Sequence, residues 1–152
     1  MNLKLNHVFE NPGASEAFNG QLGAADDLPG AVAAAGNVIN KSGLVELTAH
    51  VSFPYSGACD RCAEVFAREF SFDFFHILVM ALQGEDSGEF ILVPGGVLDL
   101  DQLIRADILL HLPSKILCKP ACMGLCPRCG GNLNQAACGC ADTAIDSPFK
   151  GL

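Results

Sequence analysis

Six cysteines fall within the twenty-three residues from Cys118 to Cys140, and no apolar periodicity runs through that stretch. Between Lys115 and Asp142 the large apolar side chains are only Ile116, Leu117, Met123, Leu125 and Leu133. Burial of so few side chains does not repay the conformational entropy lost on ordering the segment. A cation held by thiolates can. In GLCPRCGGNLN (124–134) the C-P-x-C-G turn presents Cys126 and Cys129 on one side. Gly130 is free to take the left-handed conformation, and backbone amides after the first cysteine can donate to its sulfur. Cys138 and Cys140 supply another pair after the eight residues GGNLNQAA, and four thiolates make a tetrahedral site.

Structural zinc (Zn2+) on Cys126, Cys129, Cys138 and Cys140 is therefore the expected arrangement. Cys118 and Cys122 compete with the last pair for that ion, or join it in a six-thiolate site for two metals. Disulfides and an iron–sulfur cluster are the competing chemistries. The first belongs to oxidising compartments, and the second cannot be separated from zinc by cysteine spacing. Cys59 and Cys62, in CDRC, stand apart from this cluster. A redox dithiol usually follows a strand and opens a helix, whereas here strand patterns flank both sides, so a structural turn or half of a separate metal site is expected.

The rest of the 152-residue chain carries the core. From Leu44, the residues Val45, Leu47, Ala49, Val51 and Phe53 alternate with polar ones, the period of a half-buried strand. Pro54 and Gly57 break that run, and CDRC occupies the turn. Phe66, Phe70, Phe72 and Phe74 then share one parity of a second strand, which predicts an antiparallel hairpin. Phe90 to Val93 reads as a short buried strand. A helix follows, capped by Asp99 with Gln102 as the returning half of a capping box. It carries Leu100, Leu103, Ile104, Ile108 and His111 at helical spacing and ends at Pro113. Leu3, Leu5 and Val8 are compatible with a short strand. Residues 11–43, rich in Gly, Ala, Asn and Asp, read as loops with weak elements.

The expected class is α+β: an antiparallel sheet packed with a helix, then a small zinc-ribbon-like segment. The expected boundaries are a main domain over 1–113, weakly defined over 1–43, and a cysteine-rich metal-binding tail over 114–152.

The net charge of −8 argues against a general nucleic-acid binder. That charge is uneven. Residues 1–111 carry fifteen Asp and Glu against five Lys and Arg, while residues 112–152 carry four Lys and Arg against two Asp (Asp142 and Asp146). No apolar run is long enough to cross a bilayer. The N-terminal residues show no charged region followed by an apolar one, which predicts a cytoplasmic location. No phosphate-binding loop, nucleophile elbow or paired-carboxylate motif appears. His7, His50, His76 and His111 are scattered, and Asp99, Asp101 and Asp107 read as cap and solvent-face residues.

CDRC between two strands, the segment LDLDQLIRADILLHLP (98–113), and C-x3-C-x3-C-P-R-C-G-G-N-L-N ending in C-G-C (118–140) together resemble the YceD-like family of large ribosomal RNA subunit accumulation proteins. The similarity runs from about Gly43 to Phe149. It implies a non-enzymatic cytoplasmic factor of ribosome biogenesis, acting on the nascent large subunit through ribosomal RNA, a basic ribosomal protein or both. No membrane and no small-molecule substrate are implied. The family's paired cysteines carry over to Cys59 and Cys62, and its C-terminal cluster to the six cysteines from Cys118 to Cys140, with Asn132, Leu133 and Asn134 as the accompanying loop. IDSPFKGL (145–152) departs from the Asp-Pro-Arg tail of that family. A thiol-based redox or zinc-sensing protein using Cys59 and Cys62 is the alternative reading.

Overall fold

The computed structural model describes residues 1–23, 26, 28, 30–85, 88–136 and 138–140. Asp86 and Ser87 of the predicted polar loop, and Asp142, Asp146, Lys150 and the 145–152 segment, lie outside them. The elements are β1 (Asn2–Lys4), α1 (Asn6–Glu10), β2 (Ser15–Leu22), β3 (Val32–Lys41), β4 (Leu44–Ala58), β5 (Val65–Val79), β6 (Phe90–Leu92), a 3-10 turn (Pro94–Gly96), β7 (Val97–Asp99) and α2 (Leu100–His111). The chain divides into two compact units. One comprises residues 1–55 and 68–112, the other residues 56–67 and the chain from 113 onward. No helix among the described residues is long and apolar enough to cross a membrane.

The first unit is built on a five-stranded sheet in the order β2-β3-β4-β5-β6. In β4 the alternation is realised: Val45, Leu47, Ala49, Val51 and Phe53 are buried, with the polar parity outward. The strand does not break at Pro54 but continues to Ala58. The β3–β4 ladder has its last pair at Ala33 and Ser52, so the missing Pro54 amide takes no bond from it. β5 likewise runs past Phe74 to Val79, and its last three residues pair with β6 in parallel. The sheet is therefore mixed rather than purely antiparallel, and a parallel pair cannot be joined by a tight hairpin turn. Among the described residues β6 has a neighbour on one side only, and Phe90 (36 % exposed) and Leu92 (45 %) are not the buried strand residues that their apolarity predicts; Val93, just beyond, is fully buried.

Two of the strands occupy residues expected to be loops. β2 and β3 pair antiparallel from Ser15–Ile39 to Leu22–Val32. Their low intrinsic strand preference is overridden by the long β4 template, against which β3 pairs from Ala33 to Lys41. Gly36 faces Phe18 on one side and Ala49 on the other, and a Cβ there would collide with both and with the Thr48 carbonyl. Leu3 lies in β1, which pairs with β7, while Val8 lies in the helix α1. The buried Asn40 side chain anchors α1: its amide donates to the Val8 carbonyl (2.7 Å), and its oxygen accepts from the Gly43 amide (2.7 Å).

The Asp99 half of the expected cap is present at the start of α2, the Asp99 carboxylate accepting from the Gln102 amide at 3.1 Å. Leu100, Ile104 and Ile108 are fully buried. Asp107 is not a solvent-face residue. It shares their side of the helix, is buried, and lies 2.7 Å from His76 Nε2 of β5, a partner that its position one turn from Ile104 brings into reach. Phe53, Phe70, Phe72 and Phe74 form a ladder of rings 5.7–6.1 Å apart, closed by an edge-on contact of 5.0 Å between Phe74 and His111. Phe74 is buried, whereas Phe70 and Phe72 are half-buried.

Candidate metal centres

The second unit holds all eight cysteines as free thiols, sorted into two tetrads. Cys59, Cys62, Cys118 and Cys122 form one; Cys126, Cys129, Cys138 and Cys140 form the other. Within each tetrad the sulfurs all lie within 4.8 Å of one another.

The first tetrad starts from the turn between β4 and β5. The Cys59 amide donates to the Glu64 carbonyl (2.9 Å) and the Ala63 amide to the Cys59 carbonyl (2.9 Å). Ala63 is held at φ 61° to close the turn. The tail is laced to it through Asp60, whose amide donates to the Ile116 carbonyl (3.0 Å) and whose carboxylate accepts from the Ile116 amide (2.5 Å). That contact delivers Cys118 and Cys122. Arg61 adds a guanidinium bond to the Cys122 carbonyl at 3.0 Å. The second tetrad repeats the turn. The Cys126 amide donates to the Gly131 carbonyl (2.8 Å), the Gly130 amide to the Cys126 carbonyl (2.9 Å), and Gly130 has φ 73°.

The sulfur spacing fits a tetrahedral cation. A tetrahedron with metal–sulfur arms of about 2.3 Å has edges near 3.8 Å. Cys59 and Cys122 stand 3.7 Å apart, as do Cys62 and Cys118, far from the ~2.05 Å of a disulfide. The donors around the sulfurs fit as well. Burial alone would push the Cys59 thiol up, but the amides of Cys62, Cys118 and Arg61 outweigh it and bring it down to about 6. The amides of Cys129 and Arg128 lead in bringing Cys126 down to about 6. Cys118 is pushed up to about 12, first by burial and then by the sulfurs of Cys62, Cys59 and Cys122. Cys140 is pushed up to about 12 by Cys138 and then by burial. Each tetrad is thus a cluster of thiols that cannot all ionise together unless a positive charge sits among them.

Cys126, Cys129, Cys138 and Cys140 come together as one group, and Cys118 and Cys122 join Cys59 and Cys62 instead of either pair of that group. Two features escaped the sequence reading. One is the long-range partnership of the hairpin turn with the tail; its available signal was the number eight, four chelating pairs that divide into two sets of four. The other is the contact made by Asn134, which the sequence shows only as part of the loop accompanying the cluster: its side-chain amide reaches Cys122 Sγ at 3.3 Å and leads in lowering that thiol. His50 lies 2.6 Å from Asp73 on the exposed parity.

A family model described as large ribosomal RNA subunit accumulation protein YceD matches residues 47–152, a span that contains every cysteine of both tetrads. Neither the curated proteins nor the solved structures contain a match.

Proposed function

This chain belongs to the YceD family, and from that premise we propose that it is a non-enzymatic cytoplasmic factor of ribosome biogenesis that supports accumulation of large-subunit ribosomal RNA. The observation that carries the reading is the family match across residues 47–152. Its partner is the nascent large subunit, met through ribosomal RNA, a basic ribosomal protein or both. Two charge features support this. Residues 1–111 are strongly acidic and attract a basic protein surface, whereas Lys115, Lys119 and Arg128 lie exposed in the cysteine-rich unit.

We propose zinc for both tetrads, since four sulfurs within 4.8 Å of one another suit a single tetrahedral ion, the arrangement of a structural zinc site. Held there, it supplies no reaction. It fixes the zinc-ribbon-like turns and ties the β4–β5 turn to the tail. The redox reading centred on Cys59 and Cys62 fares worse, because both sulfurs are buried and each stands 3.7 Å from a cysteine of the tail.

The test is depletion of the protein in its host, followed by sucrose gradients and quantification of both ribosomal RNAs. A fall of large-subunit RNA relative to small-subunit RNA is expected. An unchanged ratio under confirmed depletion sinks the proposal. Crosslinking in cells, with RNA and peptide sequencing, identifies which component is touched.

A further inference from the structure

The loop between Cys129 and Cys138 is closed at both ends by cysteines of the second tetrad, yet one of its side chains, that of Asn134, reaches a sulfur of the first. Asn134 Nδ2 lies 3.3 Å from Cys122 Sγ and 3.0 Å from Asn132 Oδ1, which uses both of its N–H groups. Its own oxygen accepts from the Met123 amide at 2.8 Å, and its amide donates to Asn132 Oδ1 at 2.9 Å. The Leu133 amide donates to the Gly124 carbonyl at 2.9 Å, and Leu125 bridges Asn132. The NLN segment is thus stitched along residues 122–125, with one donor aimed at a buried sulfur.

We propose that Asn134 is a positioning residue for the first metal centre and couples the two, so that filling the second tetrad strengthens metal binding at the first. The inference rests on the two-metal reading above. A thiolate bound to a metal keeps much of its charge and is held in place by donors around it, and removal of such an outer partner weakens binding about 10–100-fold. Asn134 can act as that donor only while its loop is held. With Cys129 and Cys138 released, both ends of the loop come free and Cys122 loses its partner. By linkage the effect runs equally in the other direction.

The experiment titrates the full reduced chain with cobalt(II) under anaerobic conditions, following the thiolate charge-transfer and d–d bands in competition with a chelator. The intact chain is expected to take up two ions. Asn134→Ala is expected to weaken the first centre about 10–100-fold. Asn134→Asp, which keeps the size and the acceptor for Met123 but loses the donor, is expected to do the same. Gln135→Ala removes the 2.6 Å bond from that loop to Glu64 of the turn without touching a sulfur, and is expected to leave both affinities within about twofold. Cys126→Ser with Cys129→Ser should lower first-centre affinity, and adding Asn134→Ala to that background should change it by no more than about twofold, because the coupling is already gone.

Two bound ions with unchanged affinity in both Asn134 variants overturn the inference and leave the two-metal reading standing. So does a Gln135→Ala loss as large as that of Asn134→Ala, or a full Asn134→Ala loss in the double-serine background. An intact chain that binds no cobalt overturns both.

Discussion

Ala63 stands in the β4–β5 turn where Gly130 stands in the tail. Each directly follows the second cysteine of a C-x-x-C, each has positive φ (61° and 73°), and each donates its amide to the first cysteine's carbonyl at 2.9 Å. The two turns are the same device, but only one uses the residue suited to it. A Cβ in the left-handed region costs roughly 1–2 kcal/mol, partly offset by the extra chain entropy of glycine. Ala63→Gly is therefore expected to stabilise the metal-loaded cysteine-rich unit by about 0.5–1 kcal/mol. Gly130→Ala, where open space surrounds the added Cβ, should destabilise it by a similar amount. Urea midpoints of the loaded protein read both, and shifts in the same direction would refute the equivalence of the turns.

Asn40 is the polar group on which the N-terminal helix depends. Buried at 2 % exposure, it bridges the Val8 carbonyl and the Gly43 amide, and its main chain pairs with Gly13 and Ala14. Asn40→Ala leaves a buried carbonyl and an amide without their partner, at a cost of roughly 1–3 kcal/mol. Denaturant unfolding measures the loss, and proteolysis at residues 6–11 should rise with it. A loss under about 0.5 kcal/mol, the scale of an ordinary surface substitution, would show that water replaces the side chain freely.

The phenylalanine ladder is graded. Phe74, buried and edge-on to His111, is expected to lose about 3–5 kcal/mol on truncation to alanine. Phe70 and Phe72 share its parity but are half-buried and should lose less. If calorimetry ranks Phe70→Ala as the most damaging of the three, the inner end of β5 has been misidentified.

What the residues disclosed, and what they hid, follows from the range of the forces involved. β4, β5 and α2 were legible because Val45 to Phe53 and Leu100 to Ile108 write their burial directly into a period of 2 or 3.6. β2 and β3 were not, because Ala33, Ala34, Ala35, Gly36 and Asn37 have little strand preference and become strand by pairing with β4. The cysteine turns were legible as local chelating pairs. Their sorting into tetrads was not, since Cys59 meets Cys122 across 63 residues through bonds such as those between Asp60 and Ile116, which no local pattern encodes. Asp107 misled for the same reason: its partner, His76, is 31 residues away.

Metal removal should dissolve one unit and spare the other. Among the described residues, and apart from its cysteines, the cysteine-rich unit packs only Phe66 and Leu117 around the first tetrad, too little apolar surface to hold the segment by burial. A metal held by the two tetrads would supply what is missing, as structural zinc does in small metal-folded domains. The first unit keeps its own core of β2 to β6 and α2. Chelation is therefore expected to abolish amide-exchange protection beyond Pro113 and also in residues 56–67, because Cys59 and Cys62 are tied to the tail. The rest should still unfold in one cooperative calorimetric transition. The two tetrads can be separated: Cys59→Ser with Cys62→Ser should release the β4–β5 turn, whereas Cys126→Ser with Cys129→Ser should first release residues 126–140. Metal analysis should give two zinc ions per chain for the intact protein and at most one for either double variant. Metal-free, reduced protein that retains protection in both 56–67 and 118–136 would show that the tetrads pack without a cation, and the metal assignment would fall.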